Sequence, residues 1–195
     1  MTKIYIGSSN KHKIFEFNHI LKVNKIQGFE FIKFPYNVEN IEENGATYEE
    51  NAIIKLKAYS KFNLLPLVTD DSGLEIEALN NTPGIKSARF LGEHISYRER
   101  FNYIIDKLKG LSTKERKAKF VCTLAYKDSN KQIIVRGECE GIIVDTPVGD
   151  NGFGYDPIFY IPQLKKTMAE LSDDEKCLIS HRAKATLNLV QKLNK

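Results

Sequence analysis

The chain is poor in the residues that make covalent or metal staples, with three cysteines, four histidines and no tryptophan among 195 residues. Cys122, Cys139 and Cys177 are odd in number and widely spaced, which argues against a disulfide framework or a zinc centre and for reduced, buried thiols. Low-complexity tracts, internal repeats and Pro/Ser-rich linkers are absent. No apolar run is long enough to span a bilayer, and the N-terminus does not read as a cleavable signal, so a cytoplasmic protein without a membrane partner is expected. The paired glycines of a P-loop are missing too. Lys and Arg outnumber Asp and Glu by 29 to 25, a net charge of +4, yet the lysines are scattered and form no nucleic-acid stripe. What remains is 42% hydrophobic and 28% charged, sized for one domain or two intimately joined lobes.

Five segments concentrate the chemistry. In Val68-Thr69-Asp70-Asp71-Ser72-Gly73-Leu74 an apolar strand ends in two adjacent carboxylates and a glycine turn. Strand alternation sends the two acids to opposite faces unless the turn re-aims them. The composition by itself suits a solvated turn first, and otherwise a Mg2+ site, since that ion is commonly held by one or two carboxylates plus substrate phosphates. Near the N-terminus, Lys3 to Ile6 alternate as a short strand, and Ile14, Phe17 and Leu21 recur at helical spacing. The polar turn between them, Ser8-Ser9-Asn10-Lys11-His12-Lys13, is either a capped helix start or an anion site on the positive helix end.

Glu42 and Glu43 lie in the loop before a helix opened by a Thr47/Glu50 capping box. They are solvated there, or reach a second metal position if that helix packs beside the Asp pair; Lys55, on the same helix, is a surface lysine or a phosphate contact. Gly149-Asp150-Asn151-Gly152-Phe153-Gly154-Tyr155-Asp156-Pro157 combines glycines with two aromatics, as a base-stacking loop or as a tight connection plugged into the core. Last, a C-terminal helix is expected from the box Ser172 to Glu175. Its buried stripe is Ile179, Ala183, Leu187 and Val190, with Lys176, His181 and Arg182 available to donate to an oxo-purine edge. A solvated basic face is the alternative.

In this order and spacing, the segments resemble the inosine/xanthosine triphosphate pyrophosphatase family over nearly the whole chain. The specific parts are Ser-x-Asn-x-x-Lys at 8 to 13, Asp70-Asp71-Ser72-Gly73-Leu74, Pro83-Gly84-Ile85 with Ser87-Ala88-Arg89, Phe153 to Pro157, and Ser180-His181-Arg182. The resemblance implies an α/β fold, an elongated mixed sheet flanked by helices in two lobes with a central cleft. It implies one pyrophosphatase domain over 1–195, a homodimer, a required Mg2+, and hydrolysis of non-standard purine triphosphates to the monophosphate and pyrophosphate.

Carried across by position, Asp71 resembles the general base or metal-bound acid, with Glu43 or its neighbour Glu42 as metal partner and Asp70 as a further candidate. Ser8, Asn10, Lys13, Lys55 and Ser72 resemble the triphosphate-binding set, in a loop where Ser9 departs from the glycine of many members. Phe153, Gly154, Tyr155, Asp156, Lys176, His181 and Arg182 resemble the base-binding set.

The physics of such a reaction is consistent with these residue types. A triphosphate carries about four negative charges, so attack at its α-phosphorus requires cations to neutralise the oxygens. A 6-oxo purine suits donors such as His181 and Arg182, which adenine's amino group would leave unpaired. A pyrophosphatase for pyrimidine or modified nucleotides would need a different base loop. A non-catalytic nucleotide or RNA binder would have no use for Asp70, Asp71 and Glu43 beside phosphates. Elsewhere, Ser96 to Glu99 opens an amphipathic helix through Leu108, and Lys119 to Tyr126 pairs with Gln132 to Val144, a pair whose outer face is the expected dimer contact.

Overall fold

The computed structural model describes residues 1–8, 11–38 and 41–194, with Lys11 and His12 described in backbone only. In chain order the elements are β1 (Thr2–Ile6), α1 (Lys11–Val23), β2 (Phe29–Lys33), α2 (Tyr48–Ser60), β3 (Leu67–Ile76), β4 (Thr82–Pro83), α3 (Tyr97–Lys107), β5 (Lys117–Lys127), β6 (Gln132–Ile143), β7 (Phe159–Ile161), β8 (Lys166–Thr167), α4 (Asp173–Ile179) and α5 (His181–Leu193). The strands pair in the order β2-β1-β3-β5-β6-β7-β8, with β4 on β3. β1 runs parallel to β2 and β3, whereas β6, β7 and β8 are antiparallel, so the sheet is mixed, as the family resemblance implies.

The chain divides into two compact units, residues 1–72, 122–138 and 177–195 in one and 73–121 and 139–176 in the other. In the first unit strand alternation sorts the core into two layers. Ile4, Ile6, Phe31, Val68, Cys122 and Leu124 point to the side of Phe17 and Leu21 on α1 and Leu189 on α5. Phe34, Leu67 and Ala125 point to the side of Ala52, Leu56 and Tyr59 on α2. Both faces of these strands are covered, which is why near-continuous apolar runs are tolerated in them. In the second unit the capping box at Ser96 and Glu99 is present, and α3 buries Phe101 and Ile104. Cys122, Cys139 and Cys177 are all free and buried.

Two elements differ from the sequence expectation. The Asp pair does not end its strand, because β3 continues through Ser72 and Gly73 to Ile76. Asp, Ser and Gly are depleted in strands and read as a stop; here helices over both faces supply cations to the acids, and the ladder persists. The expected single C-terminal helix is two. The box between Ser172 and Glu175 forms (N–H to Oε2 2.8 Å, Oγ accepting at 3.2 Å) and opens α4, but Ser180 turns extended and accepts from the Ala183 N–H at 3.1 Å, capping a new helix. The restart resets the helical phase. Ile179 and Leu187 are therefore only half-buried, and Arg182, expected off the stripe, is buried with Ala183, Ala185, Thr186, Leu189 and Val190.

Candidate active site

Alternation along β3 decides the site. Residues 67, 69 and 71 face α2: Leu67 packs in the α2 layer, and the Thr69 hydroxyl donates to the Ala52 carbonyl at 2.7 Å. Residues 68, 70 and 72 face α1 and α5. The two carboxylates thus enter two different environments, although Asp70 and Asp71 are both buried, at 2% and 7% exposure.

On the α1/α5 side Asp70 is fully matched. Lys13 Nζ lies 2.9 Å from Oδ1 and 2.8 Å from Oδ2, and Arg182 Nη2 is 3.6 Å from Oδ2. Arg182, 1% exposed, donates Nη1 to Glu16 Oε2 at 2.7 Å and Nη2 to Ser72 Oγ at 3.3 Å. Two acids face two bases. Burial alone would raise the Asp70 carboxyl, but Lys13 and Arg182 outweigh it and hold it well below the usual carboxylate range. Burial would lower the Arg182 guanidinium, and Glu16 and Asp70 more than reverse this.

On the α2 side the charges do not balance. Lys55 Nζ donates to Glu43 Oε2 at 2.8 Å and to Asp71 Oδ1 at 3.2 Å, and Asn51 Nδ2 donates to Asp71 Oδ2 at 3.2 Å. Two carboxylates share one ammonium. Burial pushes Asp71 up to about 6; Lys55 opposes this and Glu43 adds to it. Burial would lower Lys55, yet Asp71, Asp70 and Glu43 together leave it raised. A carboxylate poised near 6 is charged at neutral pH but basic enough to accept a proton, the range suited to a general base.

Glu42, by contrast, is exposed, so between the two candidate glutamates it is Glu43 that joins Asp71. Among the described residues no three His, Cys, Asp or Glu converge into a metal cage. The pair Glu43 and Asp71 nonetheless fits Mg2+: its donors are hard oxygens, they converge where a cation already sits, and they carry one negative charge more than Lys55 offsets.

Of the other candidates in the first unit, Ser8 is half-buried just after β1, Ser72 is bonded to Arg182, and His181 is half-buried in the first turn of α5. Ser9 and Asn10 lie outside the described residues. Glu16 and Asn51 were not among the candidates. Each had a signal in the sequence: Glu16 stands three residues after Lys13 and Asn51 four before Lys55, hence on the same helix faces.

In the second unit the glycine loop is built around Asp156. Its Oδ2 accepts from Lys176 Nζ at 2.7 Å and from the Phe153 N–H at 3.0 Å, with side chains of Asp156 and Lys176 only 8% and 11% exposed. Gly152 has φ +79°, and a Cβ there would overlap the Asp156 carboxylate and crowd Lys176 Nζ, so the turn requires glycine. Gly154 also has positive φ. The two aromatics part company. Phe153 is 47% exposed, with Lys176 Nζ 5.6 Å from its ring centre, whereas Tyr155 is buried and donates its hydroxyl to the Ser87 carbonyl at 2.9 Å. Phe153 offers a stacking face, and Tyr155 anchors the loop.

Comparison with known proteins is consistent in sequence and fold. Residues 4–192 match the model of the Ham1 family. The chain is 40% identical over 196 residues to a Bacillus anthracis protein named dITP/XTP pyrophosphatase, covering 99% of this chain and 96% of that one. A Staphylococcus aureus protein of the same name is 42% identical over 192 residues, with 98% and 95% covered. Among solved structures, a HAM1 protein from Coxiella burnetii superposes with a TM-score of 0.86 at 38% identity, covering 100% of this chain and 99% of that chain.

Proposed function

The chain belongs to the Ham1 family, and from that premise we propose that it hydrolyses non-standard purine nucleoside triphosphates (ITP, dITP and XTP) to the monophosphate and pyrophosphate. The observation that carries this reading is the unbalanced cluster of Glu43, Asp71 and Lys55: two acids and one ammonium where a polyanionic substrate would otherwise be repelled. A solely phosphate-binding site gains nothing from under-neutralised carboxylates; a hydrolytic one needs a base.

Asp71 accepts the proton of the water that attacks the α-phosphorus, and Asn51 and Lys55 hold its two oxygens in place. Lys13 and Lys55 neutralise phosphate oxygens, and Ser8, Ser9, Asn10 and Ser72 donate to them. Glu43 and Asp71 would hold Mg2+, which when bound supplies further neutralisation of the phosphates and of the leaving pyrophosphate. In the second unit, Phe153 stacks on the base, and Gly154, Asp156 and Lys176 read its edge. His181 donates to the 6-oxo group. Arg182 has Nη1 and Nη2 engaged by Glu16 and Ser72, so it joins the base-reading set by exchanging one of these partners for substrate. The whole chain works as one pyrophosphatase domain in the cytoplasm. Two copies associate through a surface other than β5, whose residues 120–126 are already buried within one chain, and a monomeric mass by light scattering would refute that association.

The test is pyrophosphate release from inosine, xanthosine, guanosine, adenosine and thymidine triphosphates, with and without Mg2+, for wild type and Asp71→Asn. Metal-dependent release from the inosine and xanthosine substrates, lost in the variant, is the expected result. Orthophosphate as first product, or an unaffected variant, would overturn the assignment of the attacked phosphorus or of the base. No turnover at all would leave a binding protein.

A further inference from the structure

The side chain of Asn51 is completely buried at the end of the first turn of α2, one turn before Lys55. Both ends of its amide are used. Nδ2 donates to Asp71 Oδ2 at 3.2 Å, and Oδ1 accepts from the backbone N–H of Gly45 at 2.8 Å. The orientation is unambiguous, since a carboxylate requires a donor and a backbone N–H requires an acceptor. Gly45 lies two residues after Glu43 and presses on the helix. A Cβ there would stand 2.7 Å from Glu50 Cβ, 2.8 Å from Asn51 Oδ1 and 3.0 Å from Asn51 N, so only a glycine brings the loop this close.

We propose that Asn51 is a positioning residue: one buried amide ties the sheet carboxylate Asp71 to the backbone of the Glu43 loop and fixes the separation of the two acids for a divalent cation. The inference rests on the hydrolytic reading above. Aspartate in its place could still accept from Gly45 but could not donate to Asp71, and alanine could do neither. A hydrophobic residue would fill the space and release both the loop and the acid. Groups that orient metal-binding carboxylates in this way change affinity or activity by about 10- to 100-fold when removed.

The experiment compares wild type, Asn51→Ala, Asn51→Asp and Gly45→Ala in two assays, pyrophosphate release from ITP and binding of Mn2+ to the free protein followed by electron paramagnetic resonance. Asn51→Ala is expected to lose about 10- to 100-fold in kcat with KM for ITP within about twofold, and to bind Mn2+ about tenfold more weakly. Asn51→Asp does not rescue, and Gly45→Ala, which displaces the amide from the loop side, gives the same pattern. A kcat and a Mn2+ affinity both near wild type in Asn51→Ala, or a rise in KM alone, would overturn the role. If Asn51→Ala does not fold, wild-type behaviour of Gly45→Ala and Asn51→Asp in both assays overturns it equally. A wild type that binds Mn2+ but releases no pyrophosphate defeats the functional reading while the Mn2+ assay still judges Asn51. A wild type that binds no Mn2+ defeats the positioning role whatever the turnover.

Discussion

Replacing Asp71 by asparagine should change the stability of the metal-free protein relative to wild type by an amount that grows with pH in a defined way. In the folded chain burial pushes Asp71 up to about 6, against 3.8 for an ordinary aspartate. The folded state therefore binds a proton that the unfolded state has released anywhere between these values. The stabilising contribution is complete below about pH 3.8 and is lost as the pH rises through about 6. Two units at about 1.4 kcal/mol each set the loss at about 2–3 kcal/mol. Asparagine at 71 does not titrate, so urea unfolding of wild type and variant in parallel from pH 4 to 7.5 reads Asp71 together with Glu43, which shares Lys55 with it, while the distant carboxylates cancel in the difference. The difference between variant and wild type should shift by about 2–3 kcal/mol in the variant's favour between pH 4 and 7.5. Mg2+ at about 100 times its Kd should then return about 2.7 kcal/mol to the wild type and nothing to the variant. A difference that stays flat with pH would refute the reasoning, because it would mean that Lys55 compensates Asp71 completely and that no surplus charge awaits a cation.

Arg182→Ala leaves buried Asp70 and half-buried Glu16 without their shared cation and should cost about 3–5 kcal/mol, read as a fall in the urea midpoint; lysine, a point charge without the planar fork, should restore only part of it. An unchanged midpoint would mean that Lys13 alone satisfies Asp70. Phe153→Ala removes the exposed ring beside Lys176 and should raise KM for ITP by about 5- to 150-fold with kcat little changed, since base stacking is worth about 1–3 kcal/mol; equal losses in kcat and kcat/KM would place the ring at the transition state instead.

How far the chain could be read without its structure varies by element. The Thr47 cap of α2, the box at Ser96 and the pairing of β5 with β6 were legible because they depend on neighbours along the chain, and local hydrogen bonding enforces them. Asp71, Lys13, Phe153 and Asp156 could be singled out as candidates from motif order. The continuation of β3 past its two acids was not, because Asp-Asp-Ser-Gly is a strand only when helices bring Lys13, Arg182, Lys55 and Asn51 to its two faces. The break at Ser180 was missed because periodicity runs smoothly across it, and only the hydroxyl bond to the Ala183 N–H reveals the new start.

What the sequence determined by itself is the residue inventory: which acids, lysines, glycines and aromatics stand where, and the local signals that start helices and strands. Which carboxylate is neutralised and which is left with surplus charge was decided by tertiary structure alone. Adjacent residues on a strand face opposite sides of the sheet, so Asp70 and Asp71 differ in chemistry through the helices that cover each side, and that partner choice is made by packing between segments far apart in the chain.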